Sequence, residues 1–334
     1  MTDPQTSRTA GTQECPGVVV FGECLVDRFV DAAGGKAQAI AGGAPFNVAR
    51  HLALLGFEPV FITRLGRDAE GMLLRGELER CGVGTTAVQW DAQHPSGQVL
   101  VHLQGGGHRF EILANQAYDY IDATALPVLA PQAQPRWLYF GTLIQRSEPN
   151  RAALAALRAR LPHRAFVDLN WRAGQVTPEL ALGTLAAADV LKVSGEELAL
   201  LLAWRQLRSD HIDRPPAVGT PCPGIGALLA GQRTQGLIVT HGAAGYALWD
   251  GAGLCQVSGG GLALAHIADT VGAGDAFSSL ALAGLLRGWP MAQTLALANA
   301  FAAAICGVRG AVPVDPAFYA HWRSRAGTPA MAGP

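Results

Sequence analysis

The sequence predicts an α/β fold: a doubly wound, mainly parallel sheet with helices on both faces, and a small β lid. Two observations carry this. From residue 137 onward, short apolar runs alternate with helical patterns, the mark of strand-helix-strand units. The 334 residues, 49% hydrophobic and 15% charged, supply a large core, so the bulk of the chain is not disordered. Residues 1–17 and 326–334 read as tails around a domain at 18–325.

The first element is an apolar, β-branched strand from Val18 to Phe21, and Gly22 to Val30 reads as an opening strand with Glu23 and Asp27 on one face. Phe46 to Leu55 has helical spacing and stops at Gly56. A strand (Val60 to Thr63) and a helix (Ala69 to Arg80, stopped at Gly82) follow. Gln98 to Leu103 and Arg109 to Leu113 flank Gly105-Gly106-Gly107 as a hairpin, with Val99, Val101 and Leu103 expected on one face and Phe110 and Ile112 on the other. With residues 22–30 it would form the lid. Next come the strand Trp137–Phe140, a helix at 151–160, strands at 165–169 and 190–193 around a helix at 180–187, strands at 237–240 and 246–249, and apolar helices at 276–286 and 292–306. Residues 208–224, with four prolines, read as a surface insertion.

Lys plus Arg is 25 and Asp plus Glu 26, which leaves no basic field for nucleic acid or an anionic membrane. The scattered cysteines include no C-x-x-C pair, and no apolar stretch has the length and purity of a membrane span, so a cytoplasmic protein is expected. With Lys36 and Lys192 the two lysines of the chain, a phosphate would have to be held mainly by backbone groups.

Asp269-Thr270-Val271-Gly272-Ala273-Gly274-Asp275 runs straight into an amphipathic helix. Glycines two apart let N–H groups converge at the positive end of a helix dipole, an anion site made without lysine, with Asp275 beside it in the first helical turn. A tight turn with a capping Asp would look the same. Neither a G-x-x-x-x-G-K-[ST] loop nor a G-x-G-x-x-G after the first strand is present, which excludes Walker-type NTPases and ordinary dinucleotide folds. A second cluster, Gly42-Gly43-Ala44-Pro45-Phe46-Asn47, allows close backbone approach to a ligand, and Asn47 suits vicinal hydroxyls.

Taken in order, these elements, with Asp168-Leu169-Asn170-Trp171-Arg172, Lys192-Val193-Ser194-Gly195-Glu196-Glu197, Thr240 to Gly245 and Ala298-Asn299, resemble the PfkB, or ribokinase-like, carbohydrate kinases over residues 18 to 312. Phe21-Gly22-Glu23, Ala44-Pro45 and Phe140-Gly141-Thr142-Leu143 look most like fructokinases.

The resemblance implies ATP-dependent transfer of the γ-phosphate to a hydroxymethyl group, fructose being the first expectation. Asp275 would be the base, with Gly272, Ala273 and Gly274 beside it in the catalytic turn, and the N–H groups of Ala273, Gly274 and Asp275 would form the anion hole. Asp27, Gly42, Gly43, Asn47, Arg109, Phe110, Asn170 and Arg172 would meet the sugar. Lys192, Ser194, Glu197, Thr240, Gly242, Gly245 and Asn299 would meet the nucleotide, with Glu197 reaching Mg²⁺ through water. The family usually has Asn where this chain has Ser194, which puts more of the magnesium task on Glu197. Many members also bind a monovalent cation, such as K⁺, through carbonyls near Asp269 and Val271, and a homodimer through the lid is expected. Rivals are a kinase of ribose, a nucleoside or 2-keto-3-deoxygluconate, the last needing a cation such as Arg109, or a sugar-binding regulator without catalysis.

Overall fold

The computed structural model describes residues 17–30, 39–104, 107–128, 137–160, 164–208, 212–264, 266–313 and 315–327; the expected tails and the Gly105-Gly106 hairpin tip lie almost wholly outside these. Along the chain the strands are β1 (Val18–Phe21), β2 (Leu25–Val30), β3 (Ala39–Gly42), β4 (Val60–Gly66), β5 (Val88–Asp91), β6 (Gly97–Gln104), β7 (Gly107–Ile112), β8 (Trp137–Phe140), β9 (Arg164–Asp168), β10 (Val190–Ser194), β11 (Gly236–Thr240), β12 (Gly245–Trp249) and β13 (Cys255–Gly260). The helices are α1 (Ala44–Leu54), α2 (Ala69–Arg80), α3 (Glu148–Arg160), α4 (Pro178–Leu185), α5 (Gly195–Trp204), α6 (Pro223–Leu229), α7 (Ala273–Arg287), α8 (Met291–Cys306) and α9 (Pro316–Gly327).

Nine strands form one sheet in the order β13-β12-β11-β10-β9-β8-β1-β4-β5, parallel from β11 to β5 and antiparallel at the β12 and β13 edge. Burial on both faces explains why these strands read as unbroken apolar runs. Along β1, Val19 and Phe21 join a core with α3, α4, α5 and α6, while Val18 and Val20 join a second core with α1, α2, α7, α8 and α9. The chain winds out from β1 to β4 and β5, then returns to β8 on the other flank of β1. That reversal is a topological switch point, and ligands of open α/β sheets bind at the carboxyl ends of strands beside one.

The second sheet is the lid, ordered β3-β2-β6-β7. Here the structure corrects the sequence reading. Residues 22–30 are not one strand: β1 ends at Phe21 in the large sheet, and the chain crosses at Gly22–Cys24 into β2 of the lid. Glu23 therefore sits in the crossing, not on a strand face with Asp27. The lid register also places Val99 opposite Ile112 and Val101 opposite Phe110, so these four share one face, because residues directly opposite in a ladder point the same way. Asp27 and Phe29, aligned with Val99 and Val101, lie on it too. Arg109, Glu111, Leu100 and His102 occupy the other face.

Residues 208–224 are more than a surface insertion: Ile212 and Cys222 are buried, Pro221 bridges to Leu254, and Pro223 opens α6, where its missing N–H costs nothing. Among the described residues no helix is long and apolar enough to cross a membrane.

Candidate active site

The residues singled out in the sequence gather where strands of the large sheet end. Glu23 follows β1, Asn170 and Arg172 follow β9, Ser194 closes β10 and Thr240 closes β11. The lid lies over β1 through the Gly22–Cys24 crossing, and α1 and α7 bring their N-termini to the same edge.

On the lid side, Gly42 ends β3 opposite Leu25. A Cβ on Gly42 would come within 2.8 Å of Asp27 Oδ2, so glycine is what lets the Asp27 carboxylate lie against the backbone. Burial raises the Asp27 carboxyl to about 6, opposed by the Arg172 charge. Gly43 caps α1, and Asn47 lies in the first turn of that helix, buried, with Nδ2 donating to Asp275 Oδ2 at 2.8 Å.

Asp275 stands in the first turn of α7, which begins after Gly272 at φ 82°, a left-handed conformation suited to glycine. Burial raises its carboxyl to about 6, while the Asn47 hydrogen bond favours the charged form; Asp168 pushes it up, and Lys192 and Arg172 pull it down. Among the described residues the N–H groups of Gly274 and Asp275 make no hydrogen bond, whereas Ala273 N–H turns to Thr270 carbonyl at 3.4 Å. Of the three N–H groups expected to form the anion hole, those of Gly274 and Asp275 are thus left open, as a helix start leaves them, while that of Ala273 is turned to Thr270.

Beneath this turn, Lys192 is buried and donates to Asp168 Oδ2 at 2.8 Å; burial disfavours its charge, and Asp168 outweighs that and keeps its pKa high. Asp168, within a motif quoted from the sequence but given no role there, is a hub that also accepts from Ser278 Oγ at 2.8 Å. An acidic residue closing a buried apolar strand was the available signal. Glu23 reads in the sequence, with Asp27, either as an acceptor for sugar hydroxyls or as part of a solvated edge strand, and its burial argues against the second. It is buried, its Oε2 has no hydrogen-bond partner among the described residues, and its carboxyl is raised by burial to about 7, against its own backbone N–H and the Arg172 and Arg146 charges.

Asn170 takes a left-handed backbone (φ 41°) that Asn tolerates better than most residues, and this turn delivers exposed Arg172 toward Glu23, Asp27 and Asp275. Arg109 is not brought here. It projects from the lid face opposite Asp27 and lies 3.6 Å from Glu111, because its neighbour Phe110, 61% exposed, occupies the inner face.

Ser194 and Glu197 form a capping box at the start of α5. Ser194 Oγ accepts from Glu197 N–H at 3.1 Å and Glu197 Oε2 from Ser194 N–H at 2.8 Å, while Glu197 Oε1 accepts from Trp171 N–H at 2.7 Å. Thr240 Oγ1 donates to Val193 carbonyl at 3.3 Å, Gly242 and Gly245 bracket the turn between β11 and β12, and Asn299 of α8 donates to Gly260 carbonyl at 3.2 Å. Asp269 ties its loop to the 310 loop by accepting from Val271 N–H at 3.0 Å and Gly310 N–H at 3.2 Å.

Residues 16–317 match the pfkB family carbohydrate kinase model. A fructokinase of Klebsiella pneumoniae is 32% identical over 313 residues, covering 89% of this chain and 95% of that protein. An aminoimidazole riboside kinase of Salmonella typhimurium is 30% identical over 296 residues, covering 82% and 84%. The structure of a Vibrio cholerae O395 fructokinase, bound to fructose, ADP and calcium, superposes with a TM-score of 0.74 at 23% identity, covering 91% of this chain and 97% of that one. With the family pattern matched over most of its length and an Asp at the helix start beside unpaired N–H groups, the chain belongs to the pfkB family of carbohydrate kinases, enzymes that transfer a phosphoryl group to an alcohol.

Proposed function

We propose that this chain is an ATP-dependent kinase of a neutral sugar, fructose first, acting on a hydroxymethyl group. The observation that carries the reading is Asp275, a half-buried carboxylate held at about 6 in the first turn of α7 beside the unpaired Gly274 and Asp275 N–H groups. Such a group is ionised at neutral pH and still basic enough to take a proton in the transition state. The sugar oxygen forms its bond to the γ-phosphorus while the bond from that phosphorus to the bridging oxygen breaks. ADP leaves with the electron pair, Asp275 takes the hydroxyl proton, and the N–H groups meet the charge that develops.

Glu23, Asp27 and Asn47 would bind the sugar hydroxyls. A sugar acid fits less well: Arg109 faces away, and Arg172 already answers three carboxyl groups. The Salmonella relative makes a riboside the second reading. Thr240, Gly242, Gly245 and Asn299, with exposed Leu262, Leu264 and Ile267, would receive the nucleotide. Glu197 fits a water-mediated magnesium site, since burial and Asp168 both raise its proton affinity and a cation would relieve them. Bound there, the ion would neutralise charge on the phosphate oxygens. A monovalent cation would sit by the tied loops at 269–271 and 310, and a second copy would meet the outer lid face around Leu100, His102 and Glu111, which light scattering would detect.

A coupled assay with ATP and Mg²⁺ against fructose, ribose, keto-deoxy-gluconate and nucleosides tests the reading. Fructose should turn over best; a clear preference for a riboside would move the acceptor assignment to the second reading.

A further inference from the structure

Phosphoryl transfer as described gives no part to Arg50 and Glu77, which extend a polar line behind the site. Arg50 of α1 is 4% exposed, and its guanidinium lies 4.6 Å from the Phe46 ring centroid. Its NH2 donates to Glu77 Oε2 of α2 at 3.0 Å, and its NH1 donates to Asn47 Oδ1 at 3.4 Å. Asn47 Nδ2 then donates to Asp275 Oδ2 at 2.8 Å. Four side chains from three helices thus run from the α2 surface, where Arg80 also holds Glu77, to the carboxylate at the start of α7.

A primary amide offers an acceptor at one end and a donor at the other. With its oxygen toward Asp275 it would set two acceptors against each other, and its NH2 would meet the guanidinium. A donor held at the amide oxygen excludes that arrangement. An arginine buried this deeply is costly unless paired, and Glu77 supplies the pairing.

We propose that Arg50, anchored by Glu77, is a positioning residue: it fixes the Asn47 amide so that nitrogen, not oxygen, meets Asp275, and so holds the carboxylate that receives the sugar proton. This rests on the reading of Asp275 as the base. The other titratable and charged groups facing Asp275 are Tyr139 from β8, Asp168 from β9, Lys192 from β10, Arg172 from the turn after β9 and Glu23 from the crossing after β1. None of them is in the Arg50 line.

The test is the pH profile of kcat with saturating sugar and ATP. Arg50→Met should lower kcat at pH 7 roughly tenfold, because a misdirected base loses alignment. It should also move the acid limb to higher pH by roughly half to one unit, since the charged carboxylate loses its donor. The KM for ATP should stay within about twofold, as the nucleotide side is untouched. In an Asn47→Ala background Arg50→Met should add no further shift. An unmoved acid limb in folded Arg50→Met, or an equal extra shift in the Asn47→Ala background, overturns the proposal. If Arg50→Met does not fold, Glu77→Ala, at a more exposed site, should shift the limb the same way by less, and an unmoved limb there overturns it. Asp275→Asn separates the two claims. If that variant keeps near-native turnover, both the base assignment and this proposal fall. If it is inactive while the Arg50→Met limb is unmoved, the proposal alone falls.

Discussion

Lys192 Nζ and Asp168 Oδ2 lie 2.8 Å apart inside the sheet, and Nζ would be 3.2 Å from a Cβ placed on Gly274. The pair therefore sits directly under the first turn of α7. The acidic partner raises the proton affinity of Asp275 and the basic one lowers it, the acidic effect being the larger of the two. A buried pair of this kind gives little net stability, yet losing one member strands the other charge.

Lys192→Met should accordingly destabilise the protein by about 3–5 kcal/mol, read as a lower urea midpoint with unchanged slope. Adding Asp168→Asn should recover much of that loss. A single variant that unfolds at the wild-type midpoint would show that the pair is not a closed unit.

Asp275→Asn keeps the shape of the α7 turn and removes the carboxylate proposed to accept the proton. Turnover should fall by ~10²- to 10⁴-fold while nucleotide affinity stays near wild type, measured by steady-state assay and calorimetry. In the parent enzyme kcat should drop as pH falls through about 6, where this carboxylate takes up its proton. Flat activity down to pH 5 would count against the assignment.

Glu23 offers a stability test with a definite sign. Its folded-state pKa of about 7 lies above the ordinary 4.5, so the folded state binds this proton more tightly than the unfolded chain. The stability it contributes is complete below 4.5 and is lost as pH rises through 7. Glu23→Gln should therefore gain roughly 3 kcal/mol over the parent at pH 8 and nothing at pH 4, by thermal melts at both. Equal gains at both pH values would show that ionisation is not the cause.

The lid register separates two neighbours. Phe110→Ala should raise the sugar KM about tenfold or more, consistent with about 1.5 kcal/mol or more for a large apolar side chain brought onto the ligand, and leave the ATP KM near its original value. Arg109→Ala, on the opposite face, should change neither. Sugar kinetics sensitive to Arg109 and indifferent to Phe110 would invert the register argument.

Much of this was legible in the chain itself, because strands buried on both faces and helices closed by glycine leave local, periodic traces. Val18–Phe21, Ala69–Arg80 and Trp137–Phe140 have the bounds that their apolar spacing and stop signals predict. The Gly-Ala-Gly-Asp run lies at a helix start, as its glycines require. The weaker traces were missed: β3, β5 and β13 are short or partly exposed, and α6 and α9 follow loops that hide their starts.

What only the tertiary structure decided are relations between distant residues. The move from one sheet to another at Gly22–Cys24, which took Glu23 off the Asp27 face, depends on what each strand pairs with. The sides taken by Phe110 and Arg109 depend on register, where a slip of one residue exchanges the faces. Asn47 and Asp275, 228 positions apart, meet because α1 and α7 pack against the same side of the sheet. Periodicity reports which face of an element is buried. Which partner it is buried against is settled by sheet order and helix packing, and the hydrogen bonds that tune the site are drawn from those partners.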